Sequence, residues 1–288
     1  MSRIFHKVSR DLLPQIRDRY PMLYLEHGRL EVDDSSVKWI GADRSVIPLP
    51  VAALAGIMLG PGTSVTHEAI KAMSESNCLL SWVGTDSMLY YAAGFTPTAD
   101  TANLLKQIDL SSDPQKRTEV ARAMYQRRFP ECDLSGRSIQ EMMGMEGGRV
   151  RALYRRKAEE YGVEWGGRDY IPGQADKSNT PNRILTSCNA ALYGLLLAVT
   201  HSLGFSPRIG FVHHGCPLPF IYDLADLYKS EISIELAFAL TAKLGGTYDT
   251  QAVMEGFVEK VCSLGILARA VDDICTLMEV KHGGAGGK

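Results

Sequence analysis

The chain has 288 residues, 45% hydrophobic and 22% charged, which is typical of a soluble globular protein with one large domain or two smaller ones. It has no apolar run of membrane-spanning length and begins without the apolar stretch of a signal peptide, so we expect a cytoplasmic protein. Its six cysteines are dispersed without a C-x-x-C pair, which excludes an obvious disulfide framework or thiolate zinc site.

The net charge of −2 argues against an indiscriminately basic nucleic-acid binder, but this average hides a basic window. Residues 116–157 carry eleven Lys or Arg against five acids, so the window is +6 and the rest of the chain is −8. A basic band of this kind suits a polyanionic substrate. Two solvated helices with charge pairs one turn apart would explain the same composition.

The first ninety or so residues contain short β-rich runs separated by Gly, Asp and Pro turn signals. One helix interrupts them, and it is predicted to begin after Thr66 as its N-cap. The predicted strands are residues 22–26, 29–32, 37–40, 57–59, 78–83 and 88–93.

Beyond the β-rich region the hydrophobic periodicity becomes helical and stays so over residues 103–282, apart from two polar loops. Two helix starts are well marked. Ser138 and Glu141 form a capping-box pattern, and Thr180 is predicted to cap a helix whose first turn contains Pro181.

These patterns predict an α+β fold with an N-terminal β-sheet domain, residues 1–94, followed by an all-helical catalytic domain. Residues 95–102, rich in small and polar side chains, are the predicted linker. The glycine-rich residues 283–288 have nothing to bury and are predicted to be a disordered tail.

Glu146 is the first residue that suggests chemistry, because it falls on the apolar face of the helix that begins at Ser138. A carboxylate there must be paired or bound to a metal. The following Gly147-Gly148 pair is costly in a helix and suggests a close approach to this backbone. An ordinary ion pair from Glu146 to Arg149 or Arg151 remains the alternative.

The second suggestive segment contains His213 in a loop, followed by Asp223 and Asp226 on one face of a helix predicted to begin near Phe220. Two like charges at this spacing repel unless a cation lies nearby, although a first-turn aspartate also complements the helix dipole. Carboxylates with one imidazole and no thiols favour Mg²⁺ or Mn²⁺, the usual activators of an oxygen nucleophile against a phosphodiester. Metal-dependent phosphoryl transfer is the predicted chemistry.

Other candidates carry a weaker signal. Asn182 is either an amide facing the site or an ordinary first-turn residue, and Lys229 could reach a phosphate or only solvent. The candidate DNA contacts are Arg149, Arg151, Lys229 and Lys71.

Seven separated segments between about residues 20 and 235 resemble the CRISPR-associated adaptation integrase, most of all its type I-E form. The segments are Y-L-E-H-G-R-L-E-V, I-M-L-G-P-G-T-S-V-T-H, L-L-S-W-V-G, M-E-G-G-R-V-R, Y-G-V-E-W-G-G-R, N-A-A-L-Y-G and G-F-V-H-H-G-C-P-L-P-F-I-Y-D-L-A-D-L-Y-K.

The resemblance implies an N-terminal β domain followed by a helical catalytic domain, in agreement with the periodicity. It also implies that Glu146, His213 and Asp226 bind Mg²⁺ or Mn²⁺, and that Asp223 is a further acid beside the ligands or the substrate. His214 and Cys216 depart from the His-Thr-Gly-Lys-Pro pattern of the type I-E form, which removes a lysine from the loop.

The implied activity is that of a DNA endonuclease and integrase that inserts short double-stranded fragments into a CRISPR array by 3′-hydroxyl attack. The implied assembly is a homodimer, two of which are bridged by a small ferredoxin-like partner nuclease. Two alternatives stay open on the residues alone: a structure-selective repair nuclease, and a DNA-binding scaffold whose acids merely pair with the cluster of basic residues from Arg149 to Lys157.

Overall fold

The computed structural model describes residues 13–33, 36–85, 90–94, 101–169 and 178–281. The strands in these ranges are β1 (Tyr20–Leu25), β2 (Gly28–Asp33), β3 (Ser36–Gly41), β4 (Val46–Pro48), β5 (Leu54–Leu59), β6 (Thr63–Val65), β7 (Leu79–Val83) and β8 (Tyr90–Gly94). The α-helices are α1 (His67–Glu75), α2 (Ala102–Ser112), α3 (Pro114–Arg128), α4 (Ile139–Tyr161), α5 (Thr180–Ser202), α6 (Pro219–Ala225), α7 (Ser233–Lys243), α8 (Thr250–Ser263) and α9 (Ile266–Leu277).

This order of strands followed by helices confirms the predicted α+β class. Each predicted strand run overlaps an observed strand, although residues 88–89 of the last run lie outside the described residues; β4 and β6 were missed because each has only three residues beside Pro or Gly. Residues 95–100 and the tail 283–288 lie outside the described residues, so the predicted linker and disordered tail stay predictions.

The strands form two four-stranded sheets. One has the order β1-β5-β7-β8, in which the first three strands are parallel and β8 is antiparallel to β7. The other has the order β4-β3-β2-β6, built on the antiparallel β2–β3 hairpin.

β5 is buried along its whole length and supplies side chains to two hydrophobic cores. Ile57 and Leu59 point into the core shared with β2, β3 and α1, while Ala55 and Met58 point into the core of the helices. The alternation of Ile57, Met58 and Leu59 between the two cores follows the two-residue side-chain period of a strand, whereas Ala55 departs from that alternation. The first sheet is therefore the layer against which the helices, and with them the candidate site, are built.

α5 is the central helix of the second core. It is the one described helix long and apolar enough to cross a membrane by length and composition, with a mean hydropathy of 1.4. However, 83% of that apolar window is buried inside the protein, as expected for a core helix.

The predicted caps were mostly correct. The Thr66 side chain accepts from the amide of Ala69, and Ser138 forms a full capping box with Glu141. The prediction for α5 was wrong by one residue. Asn179 is the N-cap and Thr180 is already helical, because an Asn carbonyl satisfies a first-turn amide as well as a hydroxyl does.

Arg19 is a buried cation that the sequence did not single out, at 6% exposure. Its Nη1 donates to the carbonyl oxygens of Leu54, Ser76 and Asn77 at 3.1, 2.9 and 2.9 Å. One guanidinium thus ties the entry to β1 to the start of β5 and the end of α1. Buried carbonyls without a donor are costly, so this clamp should contribute measurably to stability.

We expect Arg19→Met to lower the free energy of unfolding by about 2–3 kcal/mol, because the shape is partly kept while the carbonyls lose their donor. The matched control is Arg29→Met, since the Arg29 side chain is 54% exposed and pairs with Glu31 on the surface. That control should change the free energy by less than about 0.5 kcal/mol. Urea unfolding measures both, and equal losses would contradict the clamp.

Candidate active site

The predicted site residues converge from separate parts of the helical layer. Glu146 lies in the middle of α4, His213 lies in the loop before α6, and Asp223 and Asp226 lie in and directly after α6. α3 adds two further residues, Tyr125 and Arg128, from its last turn.

Asp223 is fully buried and organises the loop that carries His213. Its Oδ2 accepts the backbone amides of Phe211 and Val212 at 2.6 and 3.1 Å. Its Oδ1 accepts the His213 amide at 2.8 Å and His213 Nδ1 at 2.7 Å. A carboxylate satisfied by this many donors belongs to the framework of the site rather than to its exposed surface.

The bond from Asp223 also fixes the state of the His213 ring. Because Nδ1 donates to a carboxylate, Nε2 is the nitrogen left to bind a ligand. This hydrogen bond raises the pKa of His213, against the opposing effect of burial. Nε2 lies 4.0 Å from Asp226 Oδ2, so the free nitrogen faces the second aspartate.

Gly210 makes this loop possible. A Cβ at that position would lie 2.7 Å from the His213 carbonyl oxygen and 3.0 Å from Asp223 Oδ2. The backbone must therefore approach the buried carboxylate more closely than any other residue type allows.

Arg128 joins the two halves of the site. Its Nη2 lies 2.6 Å from Glu146 Oε1, and its Nη1 lies 3.8 Å from Asp226 Oδ2. Tyr125 donates its hydroxyl to the other oxygen of Glu146 at 3.0 Å. Burial alone would lower the pKa of Arg128, but the hydrogen bond that it donates to Glu146 and the charge of Asp226 hold that pKa above its usual value.

Lys229 balances the remaining charge of Asp226. Its Nζ lies 2.8 Å from Asp226 Oδ1 and 5.3 Å from the centre of the Tyr193 ring. Burial would raise the pKa of Asp226, but Lys229 and then Arg128 bring it below its usual value. Asp226 is therefore held as a carboxylate.

The donor set fits a hard divalent cation in its chemistry: two carboxylates, one oriented imidazole nitrogen and a buried carboxylate behind it. The six cysteines are free thiols that take no part in these contacts. As placed, the described residues hold no group of three or more His, Cys, Asp or Glu close enough to enclose a metal ion. The reason is local, because the Arg128 guanidinium bridges Glu146 and Asp226.

The alternative ion pair predicted for Glu146 was right in kind and wrong in partner. Glu146 pairs with Arg128 of α3, while Arg149 pairs with Glu131 at 2.7 Å. Spacing along one helix could not reveal this contact because it joins two helices. The available sequence signal for the contact with Arg128 was that the last turn of α3 lies within the basic window. Among the described residues, a Cβ at Gly147 would meet the Arg151 side chain at 3.6 Å and one at Gly148 would meet nothing within 4 Å, so the predicted close approach stays a prediction.

Most cations of the basic window have partners within the protein. Lys116 pairs with Asp109, Arg127 with Asp273 and Lys157 with Glu235. Three exposed arginines on α4 form no ion pair with any described residue, and these are Arg151, Arg155 and Arg156. The charge-pair explanation of the window is therefore confirmed for the paired cations, whereas a polyanion-binding role for the three exposed arginines stays a prediction.

The weaker candidates separate in the structure. Asn182 is fully buried, and its side chain contacts Gly167, Arg168 and Asp169, so it holds a loop rather than facing the site. Lys71 is exposed on α1 and makes none of the contacts that join the site residues.

Comparison with known proteins agrees with this architecture. The chain is 51% identical over 281 residues to the CRISPR-associated endonuclease Cas1 2 of Chlorobaculum tepidum, covering 98% of this chain and 95% of the relative. It is 38% identical over 264 residues to the CRISPR-associated endonuclease Cas1 1 of Rhodospirillum rubrum, covering 90% and 84%. No family model matches the sequence.

A crystal structure of a TtCas1-DNA complex superposes with a TM-score of 0.81 at 33% identity, covering 92% of this chain and 94% of the other. The fold and the site therefore define a protein of the CRISPR-associated endonuclease class. The chain belongs to the Cas1 family.

We expect Gly210→Ala to lower the free energy of unfolding by about 1–3 kcal/mol, because the new methyl group overlaps the anchored loop. Amide exchange at Phe211 and His213 should accelerate, since their bonds to Asp223 are disturbed. Gly144→Ala is the control, because a Cβ there meets nothing within 4 Å in α4 and should raise stability by up to about 1 kcal/mol. Unchanged exchange in the Gly210 variant would show that the loop tolerates the methyl group.

Proposed function

We propose that this protein is the DNA integrase of a CRISPR adaptation system. It joins the 3′-hydroxyl of a short double-stranded DNA fragment to a phosphodiester at the edge of a repeat. The observation that carries the proposal is the convergence of Glu146, His213 and Asp226 from three separate elements, with His213 Nε2 turned towards Asp226 at 4.0 Å.

Glu146, His213 and Asp226 would hold Mg²⁺ or Mn²⁺, which polarises the scissile phosphate and lowers the pKa of the attacking hydroxyl. Asp223 keeps His213 in the tautomer that presents Nε2. Lys229 is 26% exposed at the edge of the site, where its ammonium can stabilise negative charge that develops on a phosphate oxygen.

The reaction needs no nucleotide cofactor because one phosphodiester replaces another. The sequence agrees with this, since it contains no G-x-x-x-x-G-K-[ST] loop for binding ATP. The proposed partners are DNA, a second copy of this chain and a small ferredoxin-like nuclease, and the proposed setting is the cytoplasm. The segments around Glu146 and His213 support the type I-E form, and His214 and Cys216 depart from it.

A non-catalytic DNA-binding scaffold is a second candidate, because Glu146 and Asp226 both contact Arg128 and Asp226 also contacts Lys229. In a scaffold these ion pairs would be permanent. A repair nuclease would use the same residues but release cut ends instead of joining them. Strand transfer and its dependence on metal separate the three activities.

We expect Glu146→Ala, His213→Ala and Asp226→Ala each to abolish strand transfer, and double variants to lose little more, because the residues act as one unit. The assay incubates the protein, with and without its partner, with a supercoiled CRISPR plasmid and a labelled short duplex. Mn²⁺ should support joining and EDTA should remove it. Full joining in EDTA favours a metal-independent reaction, and cutting without joining favours the nuclease.

DNA affinity should depend on the exposed arginines of the basic window rather than on all its cations. We expect Arg151→Ala with Arg155→Ala to weaken binding to every sequence alike and to reduce the slope of log K against log[salt] by about two. The control is Lys116→Ala with Lys157→Ala, which removes the same charge from residues already in ion pairs. Fluorescence titrations at several salt concentrations measure both. Equal slopes for the two double variants would contradict the assignment.

A further inference from the structure

The guanidinium of Arg128 contacts both outer carboxylates of the site, Glu146 and Asp226. It is 2.6 Å from Glu146 Oε1 and 3.8 Å from Asp226 Oδ2. Its side chain is only 13% exposed, and the aromatic rings of Tyr125 and Phe129 lie 5.7 and 5.2 Å from its central carbon. The arginine is thus held in place by packing as well as by charge.

A buried pair of carboxylates without a compensating cation is unstable, because each disfavours the charged state of the other. Arg128 supplies that compensation from within the chain. A divalent ion shared by Glu146 and Asp226 must also lie between their oxygens, with metal–oxygen distances near 2.1 Å for Mg²⁺. Two cations cannot both occupy this space, since they would repel at contact distance.

We propose that Arg128 is an exchangeable counter-ion that takes the place of the metal when no metal is bound, so that it sets the metal affinity of the site. The proposal rests on the metal-dependent function given above. It concerns Arg128, which is not one of the proposed metal ligands. Arg128 is a positioning residue: its guanidinium contacts Glu146 and Asp226 and compensates their negative charge, and it must withdraw for the ion to enter.

Charge balance supports exchange rather than addition. Glu146 and Asp226 face two permanent cations, Arg128 and Lys229, while the buried Asp223 is satisfied by backbone amides and the His213 ring. Lys229 contacts the oxygen of Asp226 that Arg128 does not, so it leaves the space between the carboxylates open. Arg128 is therefore the cation whose position conflicts with a shared ion.

The test measures Mn²⁺ binding to the full-length protein by isothermal titration calorimetry, without DNA and without any activity assay. Arg128→Gln should bind Mn²⁺ at least about tenfold more tightly than the unchanged protein, which corresponds to about 1.4 kcal/mol. Its melting temperature without metal should be lower, and the rise on adding Mn²⁺ should be larger. A purely structural arginine would lower the melting temperature without tightening the binding.

Arg127→Gln is the matched control. Arg127 is the neighbour of Arg128 in sequence and carries the same charge, but it pairs with Asp273 of α9 at 3.0 Å. Its Mn²⁺ affinity should equal that of the unchanged protein. The same tightening in both variants would assign the effect to overall charge and overturn the proposal. An unchanged or weaker affinity in Arg128→Gln alone would overturn it too, while leaving the metal site intact.

His213→Ala distinguishes failure of this inference from failure of the proposed function. If the unchanged protein binds no Mn²⁺, or if His213→Ala binds it equally well, the metal site itself is wrong. A second measurement needs no variant at all. In arginine-labelled protein titrated with Mg²⁺, the Nε–Hε signal of Arg128 should shift while that of Arg127 stays in place. A stationary Arg128 signal at saturating Mg²⁺ would overturn the exchange even if Arg128→Gln did not fold.

Discussion

The structure of the site depends on one electrostatic constraint, which is that three carboxylates are placed together in a poorly solvated space. Asp223 satisfies this constraint with backbone amides and an imidazole, whereas Asp226 and Glu146 do so with cationic side chains. Because buried charges must be compensated locally, each neighbouring element has to deliver a donor at a fixed point. The final turn of α3, the loop before α6 and the turn after it are all positioned by that requirement.

The remainder of the fold provides a rigid support for these elements. β5 supplies side chains to two cores, so the sheet on which the helices pack is itself anchored on its other face. Arg19 adds a polar clamp at the edge of this layer. A site that holds charged groups at hydrogen-bond distance needs such a support, because displacements of an ångström would leave buried charges unpaired.

Local sequence signals predicted much of this architecture. The strand runs, the caps at Thr66 and Ser138 and the start of the helix near Phe220 each depend on a few adjacent residues, and the structure has them. The sequence also singled out Glu146, because a carboxylate on an apolar helical face is conspicuous, whereas the proposed ligand set of Glu146, His213 and Asp226 followed from the resemblance. What the sequence could not reveal are contacts between distant elements, such as those of Arg128 with Glu146 and Asp226.

The difference between local sequence signals and contacts between distant elements also changes how the basic window is interpreted. In the sequence its eleven cations look equivalent, but in the structure they serve different purposes. Some neutralise acids within the protein, Arg128 compensates the site, and the exposed arginines of α4 remain available to an anionic ligand. Since screened surface cations contribute to affinity only when they meet a phosphate, charge counted along the chain overestimates the DNA-binding surface. Burial and pairing, rather than composition, decide which cations act on DNA.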